Sequence, residues 1–124
     1  MRERIVDTSP LIFLAHLDRL EILKIGVEKV LAPTAVIEEV YVKQDVACDR
    51  IRRILSDWLE ECQVTRPELL LFLQNFGKGE AEVLAQALER ETTSVVLDDL
   101  DARRTASRLG LKPIGTVGLL LVAK

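Results

Sequence analysis

The chain alternates between two hydrophobic rhythms. Short apolar runs such as Arg4-Ile5-Val6 and Val95-Val96-Leu97 end abruptly on an aspartate. Between them lie longer stretches whose apolar residues recur at helical spacing. This pattern predicts strands at about 3–7, 29–32, 62–65 and 94–97, and a last strand near Ile114. Helices are expected over about 10–24, 34–43, 45–61, 67–76, 79–91, 100–109 and 117–123. Pro10 suits a first helical turn, and Gly26 and Gly110 suit stops. The first helix is expected to break near His16-Leu17-Asp18. Thr34 and Asp45 are the expected N-caps of the second and third helices. Ile51, Ile54, Leu55, Trp58 and Leu59 give the third an amphipathic face.

Strands alternating with helices imply an α/β fold, a parallel sheet covered on both sides. The 124 residues suit one domain spanning 1–124. Hydrophobic residues make up 48% and aromatics 4%, so the core must be aliphatic, and a base-stacking platform is not expected.

In parallel sheets ligands bind beyond the carboxyl ends of the strands. Asp7 and Asp98 follow apolar strands and therefore fall there. A carboxylate in that position is costly unless paired, and several converging carboxylates repel unless a cation lies between them. Glu80 joins this set through its helical position. It shares a stripe with Leu84 and Ala87, whereas Glu82 shares one with Gln86 and Glu89 and is expected to be solvated. Spacing alone weighs this reading equally with two surface glutamates near a helix N-terminus. Glu38 and Glu39 straddle an apolar face formed by Val36, Ile37, Val40 and Tyr41, so the pattern does not choose between them. Asp99 suits a helix cap and Asp101 a dipole-complementing position. Asp7 also has a plain alternative, as the cap of the Thr8-Ser9-Pro10 helix start.

The net charge of −3 argues against a generic basic nucleic-acid binder, but not against a nuclease whose acids are offset by metal. One histidine and two cysteines without ligand spacing argue against zinc. The two cysteines are read as reduced thiols, consistent with a cytoplasmic protein. No leader is read before the first strand, and no stretch has the length of a membrane span. Neither a nucleophile elbow nor a Walker loop is present. Arg103, Arg104 and Arg108 follow the Asp98 cluster, and the first two are candidate phosphate or base contacts.

Taken in order, Ile5-Val6-Asp7-Thr8-Ser9-Pro10, Val36-Ile37-Glu38-Glu39-Val40, Gly77-Lys78-Gly79-Glu80-Ala81-Glu82, Val96-Leu97-Asp98-Asp99 and Ile114-Gly115-Thr116-Val117-Gly118 resemble the PIN-domain family. Within it they resemble the branch of predicted nucleic-acid-binding proteins related to VapC-type toxins. The resemblance implies a three-layer α/β/α sandwich with a mostly parallel sheet. It further implies a Mg²⁺- or Mn²⁺-dependent endoribonuclease, with a toxin of a toxin–antitoxin pair as one role. The implied partners are an RNA substrate, an antitoxin and a second copy in a homodimer, with no membrane. Asp7, Glu39, Glu80 and Asp98 map onto the acidic set, with Asp7, Glu39 and Asp98 or Asp99 as metal ligands. Thr8 and Ser9 map beside the first carboxylate, and Thr116 onto the same pocket. The rival readings are a non-catalytic nucleic-acid-binding module and a protein-interaction module docking through the Leu69–Phe76 run.

Overall fold

A computed structural model describes residues 2–92 and 94–124. Its five strands are β1 (Glu3–Val6), β2 (Lys29–Pro33), β3 (Leu59–Cys62), β4 (Ser94–Val96) and β5 (Lys112–Ile114). The helices are α1 (Thr8–His16), α2 (Thr34–Lys43), α3 (Val46–Leu55), α4 (Glu68–Leu71), α5 (Lys78–Arg90), α6 (Leu100–Arg108) and α7 (Thr116–Val122). A 3₁₀ segment, Leu20–Lys24, follows α1. All strand pairings are parallel, in the order β3-β2-β1-β4-β5. The chain builds outward from β1 in one direction and then, beginning with β4, in the other. Crossovers in parallel sheets are right-handed, which sends connections that run opposite ways along the sheet to opposite faces, while α7, beyond β5, packs back against α1. α1 packs against α3, while α5 lies along β1, β2 and β4. This is the α/β/α sandwich expected from the sequence.

The strand order reverses between β1 and β4, where adjacent connections leave in opposite directions and open a crevice. The pair is held in register there by Ile5 opposite Val95 and Val6 opposite Val96, and by the Asp7 N–H donating to the Val96 carbonyl at 3.1 Å. Ile5, Val6, Val95, Val96 and Leu97 are fully buried. Burial on both faces explains why these strands read as continuous apolar runs.

Three local expectations need correction. The helix expected over 45–61 ends at Leu55, and Leu59–Cys62 forms edge strand β3 beside β2. Leu59 continues the helical spacing of the preceding residues, yet its pairing with Val30 comes from a distant segment. The helix expected over 67–76 keeps only Glu68–Leu71, and Phe72 is 82% exposed just beyond it. Thr34 is the first helical residue of α2 rather than its N-cap, which is Pro33. The Thr34 hydroxyl instead donates to Glu61 at 2.9 Å, tying α2 to β3. The break after His16 is present, and Asp18 takes a left-handed turn with φ of 56°. Asp45 caps α3 by accepting from the Cys48 N–H at 3.0 Å.

Candidate acidic site at the carboxyl end of the sheet

Asp7 stands where β1 passes into α1, and it is only 6% exposed. It occupies the N-cap position, but its side chain makes no cap hydrogen bond. Capping therefore does not account for this buried carboxylate. Burial pushes its pKa up to about 7, and the negative charges of Glu80, Glu39 and Asp98 push the same way. The Thr8 backbone N–H opposes them only in part. Four acids distant in sequence thus act on one another at this end of the sheet.

Asp7, Thr8, Ser9, Glu38, Glu39 and Glu80 line an open cleft of about 420 Å³. The two glutamates of α2 do different things there. Glu38 pairs with Lys78 at 3.5 Å. Glu39 points at Gly79, against which a side chain would collide with its Oε1. The same imagined Cβ would stand 3.2 Å from Asp7 Oδ1 and 3.3 Å from Thr8 Oγ1. Gly79 is therefore a close-approach glycine. Its missing side chain lets the start of α5 come up to three oxygens from β1–α1 and α2.

Glu80 lies beside this point and reaches back to accept from the Gly77 N–H at 3.3 Å. Helix capping thus explains one of its oxygens. Its pKa is also raised, first by burial and then by Asp99 and Glu39, with the Gly77 N–H opposing. Glu80 also borders a second cleft of about 340 Å³ with Asp99, Asp101, Arg104 and Arg108. Asp99 caps α6 by accepting from the Ala102 N–H at 2.9 Å.

Asp98 and Thr116 line neither cleft. The Thr116 N–H and hydroxyl donate to the two Asp98 oxygens at 2.7 and 2.6 Å, so Asp98 ties the exit of β4 to the start of α7. Arg103 lies against Gly115, whose missing side chain makes room for its guanidinium beside Asp98. The structure thus gathers Asp7, Thr8, Ser9, Glu39 and Glu80 around one cleft. It sets Asp98, Thr116 and Arg103 to one side, and Asp99 and Arg104 on the second cleft.

Glu82 is a correction. It is 9% exposed, not solvated, and accepts from the Ala35 N–H at 3.0 Å, so it supplies the cap that Thr34 does not. Gln86 on the same stripe is 1% exposed, and Glu89 binds the backbone N–H groups of Thr65 and Arg66. α5 is buried from Ala81 through Ala87, so it has no fully solvated face over those turns. The small residues at 79, 81, 85 and 87 are the sequence signal for this close packing on several sides.

The arrangement suits a hard divalent cation. All the donors are oxygens, the carboxylates repel one another, and the buried Thr8 hydroxyl has no hydrogen-bond partner among the described residues. Among those residues no three acids are already gathered as a finished ligand cage.

A family model described as a PIN domain matches residues 3–124. The chain belongs to the PIN-domain family. The PIN domain is commonly a nuclease fold. A PilT N-terminus domain protein from the hyperthermophilic archaeon Sulfolobus solfataricus P2 has a similar structure, with a TM-score of 0.67. The likeness covers 97% of this chain and 92% of that one at 16% identity, which speaks to the fold. No curated protein matches the chain. Among the described residues, no helix of this PIN domain is long and apolar enough to cross a membrane.

Proposed function

We propose that this PIN domain is a Mg²⁺- or Mn²⁺-dependent endoribonuclease. The observation that carries the reading is the convergence of Asp7, Glu39 and Glu80 on one open cleft at the strand-order reversal, with Asp7 buried and uncapped. Asp7 and Glu39 would hold the cation, with the Thr8 hydroxyl turned toward the same space. When bound, the cation supplies charge neutralisation and Lewis acidity toward a phosphodiester. Glu80 extends the acidic wall, and Asp98 adds negative field from behind while Thr116 fixes its orientation. Asp99 remains the alternate post-strand acid, on the second cleft. Ser9 and Lys78, which also line the cleft, would meet the phosphate backbone. Arg104 and Arg108, across Glu80 in the second cleft, would hold the strand as it leaves. Arg103 would contribute through the Asp98 corner.

The wider proposal is a cytoplasmic toxin-type nuclease paired with an antitoxin and working as a homodimer. The exposed Leu71 and Phe72 offer an apolar contact for such partners. A second reading, a non-catalytic RNA-binding module, is favoured by one observation: Asp98 is already engaged by Thr116 at both oxygens.

Single-stranded and structured RNAs incubated with Mn²⁺ or Mg²⁺ separate the two. Cleavage by the wild type that disappears with chelator and in Asp7→Asn supports the nuclease. RNA binding without cleavage, unchanged in Asp7→Asn but weakened by Arg104→Glu, supports the binding module.

A further inference from the structure

The opposite end of the sheet holds a third pocket, of unlike charge. It has a volume of about 420 Å³ and lies at the start of β1, β4 and β5. Four cationic side chains, Arg2, Arg4, Arg90 and Lys112, line it against two anionic ones, Glu3 and Glu91. Glu3 is already taken, by Arg90 at 3.0 Å and by the Thr92 hydroxyl at 2.7 Å. On a chain of net charge −3, this is a local excess of positive charge.

Arg4 is the unusual member. It is 9% exposed, yet among the described residues no carboxylate pairs with it. Its guanidinium is fixed by neutral acceptors instead. Nη1 donates to the carbonyls of Leu23 at 2.7 Å and Ile25 at 2.9 Å, and Nε donates to the Ser94 hydroxyl at 3.2 Å. Arginine has five N–H donors in one plane, so the Nη2 pair remains beyond those contacts. Ser94 accepts from Arg4, which leaves its own O–H to donate. Burial without a counter-charge lowers the Arg4 pKa, and an anion brought into the pocket would relieve that cost. Arg2 is anchored beside it through the Gly26 carbonyl at 3.4 Å.

We infer that this pocket binds a phosphate-type oxyanion, held by the Arg4 Nη2 donors and the Ser94 hydroxyl, with Arg2 and Lys112 closing over it. A planar guanidinium held rigid before the ligand arrives suits a tetrahedral oxyanion with several acceptor oxygens. Arg4, near the start of β1, and Asp7, at its exit, are three residues apart, roughly 10 Å at about 3.3 Å per residue. The oxyanion pocket and the acidic cleft therefore lie at opposite ends of one strand. The inference stands whether or not the acidic cleft cleaves RNA.

Inorganic phosphate titrated into the protein at fixed ionic strength, followed by melting temperature and calorimetry, tests it. The expected result is saturable binding that chloride does not reproduce. Arg2→Glu with Lys112→Glu, both at exposed positions, should weaken it by about tenfold or more while the circular dichroism stays native. Asp7→Asn should retain it. Equal responses to phosphate and chloride would overturn the inference, as would undiminished binding in the folded double variant. Arg4→Gln should also lose the site. Because that variant removes two carbonyl contacts and can unfold, the surface pair carries the decision. A 5′-phosphorylated oligoribonucleotide that displaces the phosphate, when its dephosphorylated form does not, would assign the group to an RNA end. Bound phosphate that neither oligonucleotide displaces would assign it to a free anion, and both outcomes uphold the site.

Discussion

Glu3 and Asp7 are carboxylates at the two ends of one strand, and their environments push them in opposite directions. Glu3 is held below the usual carboxylate range by its hydrogen bond to Arg90, with Thr92 assisting, despite partial burial. Asp7 is raised to about 7 by burial, with Glu80, Glu39 and Asp98 adding to the rise. Both have little contact with solvent, yet burial is the largest influence on Asp7, whereas at Glu3 the Arg90 hydrogen bond outweighs it. What each faces then widens the difference. Glu3 meets a guanidinium and a hydroxyl, whereas Asp7 feels other acids and, among the described residues, pairs with no cationic side chain. Glu3 is thus satisfied by side chains of the fold itself, whereas Asp7 is left to be completed from outside.

The comparison breaks most sharply at Asp7. A raised acid pKa means that the folded state holds the proton more tightly than the unfolded chain. The charge penalty is therefore absent below the ordinary value of 3.8, grows as pH rises, and is complete above about 7. Asp7→Asn should stabilise the cation-free protein at pH 8 by up to roughly 4 kcal/mol, from about 1.4 kcal/mol per pKa unit. At pH 4 it should change little. Urea unfolding of both proteins at the two pH values checks this, and a variant no more stable than wild type at pH 8 would refute it.

Glu82 sharpens the contrast, because it is a buried carboxylate with a defined structural partner. Glu82→Ala orphans the Ala35 N–H and should cost about 1–2 kcal/mol. The loss should appear with or without divalent cation, unlike the effect of Asp7→Asn. Chemical denaturation in chelator and in Mn²⁺ would show whether the two losses match.

The smallest effect is expected at Glu3. Its depressed pKa contributes stability above the ordinary value of 4.5 that is lost as pH falls through the folded value. Glu3→Gln should destabilise by about 1 kcal/mol near pH 7, since Arg90 is partly solvated. Below the folded Glu3 value the two proteins should converge, which a melting series across pH would reveal.

Much of the carboxyl-end geometry was legible in the sequence, because a buried parallel strand writes itself as an apolar run and its end is marked by the first charge. Asp7 and Asp98 could be placed that way, and the caps Asp45 and Asp99 by the helices they precede. The strand expected at 62–65 instead occupies Leu59–Cys62, because Leu59 extends the helical spacing of Ile51 and Leu55 and only its pairing with β2 reveals where the strand starts. Glu82 failed for a different reason. A helical wheel assigns polar residues to solvent when one face is buried, but α5 is enclosed through Ala87, and its acids serve neighbouring backbones. The hydrophobic pattern did not choose between Glu38 and Glu39, and only the family resemblance pointed to Glu39. In the structure Glu38 turns to Lys78 and Glu39 to Gly79. The Arg4 pocket was missed because a single arginine in a strand carries no signal until its lack of a carboxylate partner is seen.

The central claim is that the acidic cleft is completed by a divalent cation. Isothermal titration with Mn²⁺ at pH 8, on the wild type beside Asp7→Asn, tests it most directly. The account predicts saturable binding to the wild type, a gain of about 2.7 kcal/mol in unfolding free energy at a hundredfold excess over Kd, and loss of both in the variant. Equal Mn²⁺ binding by the two proteins, or none by the folded wild type, would contradict it.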